Sequence, residues 1–491
     1  MSVALFKFFI TQVVPRIPFL SRLAIAHSLG LLETSSKWDL KTTLIVRFIR
    51  SLLSDKPTSI SYQQKVGLRD PGIVGPIWIS SITIPKLQSD DDVLAVLLQA
   101  VDARKEGGAK YDVPSVESIY AEWTGHRQGA NAKTPHPKEL SDSARYQKLM
   151  ADTKHDSTVL YFHGGALYLM DVASHRPVCS ELSRITGGRC LNVRYRLAPK
   201  FPFPAAVLDC FIAYLYLLHP LPGSFHEPVQ ASKIVFAGDS AGGNLSLALL
   251  QLLLHLHRSV APGQTPKLRF YGQVVDVPLP GGVAGSSPWL DLTMTMPSIF
   301  ANHKFDYLPV PSGTSTNERF PACALWPVDP RREDLYCDGT MLMHPFASPL
   351  ASNPEDWKGS PPVFFCYGGE MLTDDGKYFA RKLVKSGVPV EWEEFEAMPH
   401  CFAMVLKGSE ESKLGMSLWG DYIARVTKGE VIETTGAYYH AKTLIKSNVD
   451  IATLGELTDN EVWDRMSEEV KIREGYITAS NDRATELKAK L

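Results

Sequence analysis

The chain has no long unbroken apolar run, no C-x-x-C pair and no excess of either charge, and each absence removes a class of protein. Residues 1–53 are rich in apolar and aromatic residues, with Phe8, Phe9, Ile10, Val13, Val14 and Phe19 close together. Yet Lys7, Arg16 and Arg22 interrupt it and Pro15 and Pro18 break any continuous helix, so it falls short of the roughly 18 uncharged residues that cross a bilayer. It also lacks a compact apolar core followed by a small-residue cleavage site, which argues against a secretory signal. The seven cysteines are scattered, odd in number and without metal-ligand spacing, which excludes a disulfide framework and a structural zinc site and points to a reducing, cytoplasmic setting. Lys plus Arg number 51 and Asp plus Glu 53, with no basic run interleaved by aromatics, so no nucleic-acid partner is expected.

What is present is an ordinary globular composition, 44% hydrophobic and 21% charged, on a chain of 491 residues that can bury a large core and carry additions. From residue 157 onward, short apolar runs at 159–162, 191–195, 234–237, 282–287, 363–367 and 388–395 alternate with helix-length segments. That texture predicts a mostly parallel central sheet flanked by helices on both faces. Upstream, Asp90, Asp91 and Asp92 lead into an apolar run closed by Gly107 and Gly108, which predicts a helix with acids in its first turn. A second, short amphipathic segment follows at 116–123. The division expected is an N-terminal helical extension over 1–150, a catalytic domain over 151–425, and a charged, helix-prone extension over 426–491. For residues 1–30 two arrangements fit: an apolar helical cap packed over a site, or a helix in peripheral contact with a membrane interface, the cap being the first expectation.

The run K-I-V-F-A-G-D-S-A-G-G-N at 233–244 is where chemistry enters. An apolar strand passes through a glycine-flanked turn into a long apolar helical segment. Gly238, Ser240 and Gly242 form the G-x-S-x-G elbow, in which a strained backbone lifts the serine hydroxyl clear of the sheet. Upstream, His163-Gly164-Gly165-Ala166 follows a predicted strand, and consecutive glycines there leave backbone N–H groups open to an oxyanion. Gly164 and Gly165 are the expected donors, with the N–H of Ala241 after the nucleophile; His163 completes the motif.

Between and beyond these lie Y-R-L-A-P at 195–199, F-P-A-A at 203–206 with Asp209, S-P-W-L-D at 287–291, and H-P-F-A-S-P-L at 344–350. Taken in order with the two glycine motifs, they resemble the hormone-sensitive lipase branch of the α/β-hydrolases over roughly residues 155–405. The resemblance implies an α/β-hydrolase fold with an N-terminal helical cap, and a carboxylic ester hydrolase acting on uncharged small-molecule esters of open acyl length, without metal or organic cofactor. By the same match the triad acid falls on Glu370, where the family usually has Asp, while Asp374 and Asp375 compete with it and read equally well as charges in the first turn of the next helix. His400, in M-P-H-C-F, matches the family histidine, although Cys401 stands where glycine is usual. Ser240, Glu370 and His400 then run in the chain order of that fold. The segment 293–341, with Phe300, Phe305, Tyr307 and Trp326, either lines a pocket or packs. Two other readings keep the same residues: an acyltransferase that intercepts the acyl-enzyme, and a small-molecule receptor with a disabled triad.

Overall fold

A computed structural model describes residues 9–54, 57–311 and 315–489. The first eight residues of the N-terminal apolar stretch, including Lys7 and Phe8, and the last two of the C-terminal extension lie outside the described residues, as do 55–56 and, within the 293–341 segment, 312–314.

The strands in chain order are β1 (Ile77–Ile84), β2 (Ile119–His126), β3 (Thr158–Phe162), β4 (Arg189–Val193), β5 (Ile234–Asp239), the hairpin β6 (Lys267–Phe270) and β7 (Gln273–Asp276), β8 (Gly282–Ser286), β9 (Val363–Gly368), β10 (Val390–Phe395), β11 (Thr435–Tyr439) and β12 (Lys446–Asn448). All but the hairpin form one sheet, ordered β1-β2-β4-β3-β5-β8-β9-β10-β11-β12. From β4 to β11 the pairing is parallel, and the two edges turn antiparallel. The six apolar runs predicted as strands are β3, β4, β5, β8, β9 and β10. They read as continuous apolar segments because both faces are covered: every residue of β3, β5 and β9 is buried.

The longer helices are α1 (Ile17–Ser28), α2 (Leu40–Ser54), α3 (Ile60–Gly67), α4 (Val93–Asp102), α5 (Asp142–Asp152), α6 (Val172–Thr186), α7 (Ala205–Leu218), α8 (Ala241–Arg258), α9 (Thr373–Lys385), α10 (Glu410–Lys428) and α11 (Asp459–Ala489). On one side α7 and α8, buried along nearly their whole length, join the larger core. On the other α6 and α10 pack together around Val178, Leu182, Trp419 and Tyr422. Among the described residues no helix is long and apolar enough to cross a membrane.

Three expectations change. The acids at 90–92 precede α4 rather than forming its first turn, because they hold the β6–β7 hairpin: Asp92 Oδ2 accepts from the N–H of Arg269 at 2.8 Å, and Asp91 Oδ1 from that of Gly272 at 2.9 Å. The amphipathic segment at 116–123 is the start of β2. Of its two acids, Glu122 is buried inside the sheet and paired with Arg176 of α6 at 2.6 Å, so part of the polarity that suggests an exposed helix face is a buried ion pair. In the C-terminal extension, α10 runs on to Lys428, and β11 and β12 then complete the sheet before α11 begins, so strands precede its long helix.

Candidate active site

Parallel neighbours end on the same edge of a sheet, so the loops after β3, β5, β9 and β10 meet there. Those loops carry the glycine motif, Ser240, Glu370 and His400. The local sequence makes each turn: β5 runs into α8 with only Ser240 between them, at φ 50° and ψ −120°. For a residue with a Cβ this conformation costs on the order of 1–3 kcal/mol, and neighbouring contacts hold it. Ser240 N–H donates to the carbonyl of Ser286 at 3.0 Å, and its own carbonyl accepts from Trp289 at 3.0 Å. Gly242 is required by close approach: a Cβ built there would lie 1.8 Å from the Phe162 carbonyl oxygen of β3. Asn244, one turn on, donates to the carbonyls of Trp289 and Ala347, both at 2.8 Å, which ties the S-P-W-L-D and H-P-F-A-S-P segments beneath the elbow.

The loop after β3 is anchored from below by Asp239. Its Oδ1 accepts from the Tyr161 hydroxyl at 2.6 Å and from the Gly164 N–H at 3.0 Å, and His175 Nε2 lies 3.3 Å away. Burial alone would raise this carboxyl, but His175, Tyr161 and the Gly164 amide outweigh it and hold it at about 2. The expectation for Gly164 is therefore corrected: its N–H is bound to an anionic Asp239 and does not face an oxyanion. The N–H groups of Gly165, Ala166 and Ala241 have no acceptor among the described residues. Gly165 adopts φ 118° and Ala166 φ 52°, and the alanine stores roughly 1–2 kcal/mol of strain in a conformation that glycine adopts freely. His163 is fully buried, stacked on Tyr195 with ring centroids 4.3 Å apart, and hydrogen-bonded through Nδ1 to the Gly164 carbonyl at 2.7 Å. Burial and the neighbouring His175 push it down to about 4, so it is a neutral part of the loop's scaffold.

Opposite, His400 Nδ1 lies 2.5 Å from Glu370 Oε2, both side chains being buried. Asp374 and Asp375 are elsewhere: Asp374 Oδ2 accepts from the Ser298 N–H and Asp375 Oδ2 from that of Asp291. Burial would lower the imidazole, yet it stands well above its ordinary 6.5. Of its two neighbours, Cys401 is itself pushed up to about 12, chiefly by burial, and is a neutral thiol, so the Glu370 carboxylate raises it. Cys401 keeps the left-handed backbone that a glycine would take there, at φ 50°, and its N–H donates to Ser287 Oγ at 3.1 Å, linking the His400 turn to the loop after β8. Among the described residues the Ser240 hydroxyl makes no hydrogen bond to His400. Ser286 and Ser287 join the two loops instead, one holding the Ser240 N–H and the other the Cys401 N–H.

One residue with no motif around it sits at the centre of this arrangement. Asp306, from the segment 293–341, is fully buried, and its Oδ1 accepts from the N–H of Tyr307 at 2.7 Å and of His400 at 3.3 Å. Its Oδ2 accepts from the N–H of Met371, next to Glu370, at 3.0 Å. Asp306 thus spans the acid-bearing and base-bearing turns, and no sequence pattern signals it because its partners lie 65 and 94 positions away. The segment's aromatics scatter: Tyr307 stands edge-on to His400 at 6.1 Å, Phe305 packs on Trp38, Trp326 is buried with Ile60 and Phe320, and Phe300 is exposed. From above, Trp38 Nε1 donates to the Ala397 carbonyl at 2.6 Å and Arg50 of α2 to that of His303. Gln64 of α3 donates to the carbonyls of Tyr168 and Ala198 at 2.8 and 2.7 Å. The N-terminal helices thus stand on both the His400 turn and the glycine loop.

Comparison with known proteins falls on this same region. A sequence family described as alpha/beta hydrolase fold matches residues 159–404, from β3 to just past His400. The chain is 29% identical over 272 residues to an acetyl-hydrolase of Streptomyces hygroscopicus, covering 55% of this chain and 76% of that protein. It is 27% identical over 275 residues to an esterase of Acinetobacter venetianus, covering 56% and 76% respectively. Among solved structures, an esterase from the bacterial hormone-sensitive lipase family aligns with a TM-score of 0.46 at 23% identity, covering 84% of this chain and 98% of that one.

Proposed function

The chain belongs to the alpha/beta hydrolase fold family, and from that premise we propose that it hydrolyses small uncharged carboxylic esters through Ser240, His400 and Glu370. The observation that carries this reading is the 2.5 Å contact between His400 Nδ1 and Glu370 Oε2, buried beside a serine held on a strained elbow. Both similar proteins named above are described as ester- or acetyl-cleaving enzymes. In the reaction, the half-exposed Ser240 hydroxyl turns onto His400 Nε2, gives up its proton and attacks the acyl carbon. Glu370 fixes the tautomer with Nδ1–H and stabilises the imidazolium that forms. The N–H groups of Gly165, Ala166 and Ala241 take the developing oxyanion, each worth about 2.7–4 kcal/mol of transition-state stabilisation where such donors are well placed. His400 then protonates the leaving alcohol, and water releases the acid by the reverse sequence. In this reading the described N-terminal helices cap the site and residues 151–425 carry the chemistry.

The test is labelling with a fluorophosphonate together with turnover of p-nitrophenyl esters from acetate to palmitate. Wild type should label and turn over, whereas Ser240→Ala and His400→Ala should lose turnover by roughly 10³-fold or more. Absence of labelling in the folded wild-type protein would sink the active-triad reading, and labelling without turnover of any ester would point to transfer of the acyl group instead.

A further inference from the structure

The loop after β3 carries strained backbone where the oxyanion donors sit. Ala166, Leu167 and Met170 have φ of 52°, 65° and 69°, in the left-handed region that penalises a side chain. A loop of this kind keeps its shape only where its surroundings impose it. From below, Asp239 takes the Gly164 N–H, and the Leu167 carbonyl accepts from the Ala198 N–H at 3.0 Å. Within the loop, the Gly165 carbonyl accepts from the N–H groups of Tyr168 and Leu169 at 3.1 and 2.8 Å. From above, the hold comes from α3, which lies outside the family-matched region.

Gln64 supplies that hold. Its Nε2 donates to the carbonyls of Tyr168 and Ala198 at 2.8 and 2.7 Å, so both hydrogens of one amide are engaged and two acceptors fix which way it points. Among the described residues no backbone N–H reaches either carbonyl. One side chain therefore joins the glycine loop to the Y-R-L-A-P turn. The helix that carries it has a separate footing: Ile60 is fully buried with Phe320 and Trp326, and Ser59 caps its first turn. Losing the Gln64 amide thus leaves α3 docked and frees the loop. The residues freed first are Gly165 and Ala166, just before the Tyr168 carbonyl, whose N–H groups have no acceptor among the described residues.

We propose that Gln64 is a positioning residue that holds the 165–168 turn so that the Gly165 and Ala166 N–H groups point at the oxyanion, a role that rests on the hydrolase reading. The experiment compares wild type with Gln64→Met, which keeps the length and loses both donors, and with Lys65→Met at the exposed neighbouring position. It reads p-nitrophenyl butyrate kinetics, inhibition by a trifluoromethyl ketone, and amide hydrogen exchange. Ser240 Oγ adds to the ketone carbon while its proton passes to His400 and the carbonyl electron pair becomes an oxyanion, so this inhibitor reports on the donors. Gln64→Met should lower kcat by about tenfold to a hundredfold with KM within about twofold. The ketone should weaken in the same proportion as kcat/KM, and exchange should quicken over 164–170 alone. Lys65→Met should match wild type in all three. The proposal is overturned if Gln64→Met keeps the wild-type kcat, or if kcat falls while the ketone binds as before. It is also overturned if exchange over 164–170 is unchanged or rises only with the rest of the chain. A folded wild type inert toward both ester and ketone would fail the hydrolase reading instead, and exchange over 164–170 would then decide whether Gln64 holds the loop.

Discussion

A histidine can take the Ser240 proton only while it is uncharged, and Glu370 works against that by holding His400 above 6.5. The value of kcat/KM for ester hydrolysis should therefore rise with pH along a limb centred above 6.5. Glu370→Gln removes the charge that favours imidazolium, so the limb should move to lower pH while the plateau falls by roughly 10³-fold or more; an unmoved limb would show that Glu370 does not face the working imidazole. Asp306 makes a different prediction. Asp306→Asn turns one acceptor oxygen into a donor aimed at N–H groups that already need an acceptor, which loosens the turns carrying Glu370 and His400. We expect kcat to fall by about tenfold to a hundredfold with KM within about twofold, since positioning is lost and ester binding is not. Equal changes in both constants, or in neither, would argue against a positioning role. The positions of Ser240, Glu370 and His400 after β5, β9 and β10 were legible in the sequence because each sits in a short motif at a strand end. Asp306 was not, and neither was the diversion of the Gly164 N–H, which depends on where the Asp239 carboxylate points.

At the scale of elements, two segments outside the family-matched region hold the site together. Trp38 is fully buried against Phe305 and hydrogen-bonded to Ala397. Trp38→Ala should remove about 3–5 kcal/mol of packing, felt mainly as loosening of the N-terminal helices, because Trp38 is the large side chain that anchors them in the core. Limited proteolysis should then cut between residues 29 and 60 faster than in wild type while the core stays intact; an unchanged cutting rate would show that other contacts hold the cap. At the far end α11 is not a loose tail. Its Arg473 donates to the Thr293 carbonyl at 2.8 Å, to that of Leu292, and to Asp334, a carboxyl raised by burial. Arg473→Ala leaves Asp334 buried without its cation, at a cost of about 3–5 kcal/mol. The sign of the pH dependence follows: a carboxyl raised in the folded state destabilises it as pH climbs through that value, so the loss, measured by urea unfolding, should be larger at pH 8 than at pH 5. A loss independent of pH would assign it to packing alone. The charged, helix-prone composition of 426–491 predicted the helix but not this latch, because an arginine at a helix surface looks the same in sequence whether it meets water or a buried aspartate.

For the whole molecule, the cysteines offer a compact check. All seven are free thiols and six are buried. Cys323 is the partly exposed one: burial would raise it, but the polar groups around it, the backbone amides of Ser61, Leu325 and Trp326 among them, outweigh that and lower it from its ordinary value. Ellman's reagent should titrate one thiol in the native protein and seven in denaturant, and a reducing agent should leave Tm unchanged. Native titration of several thiols would mean that the core opens far more readily than its packing implies.

The sequence by itself determined the parallel centre of the sheet and the strand ends that carry its glycine, serine, glutamate and histidine turns. Strands covered on both faces must be continuously apolar, and the turns that follow them are written in glycines that no other residue can replace where backbones approach as closely as at Gly242 and Phe162. Only the tertiary structure decided the sheet's antiparallel edges. In β2 a buried acid is made tolerable by Arg176, which lies 54 positions away. The same is true of Asp306 across the Glu370 and His400 turns and of Arg473 on Asp334. Each is a polar group satisfied by segments distant in the chain, and local pattern carries no information about partners that only folding brings together.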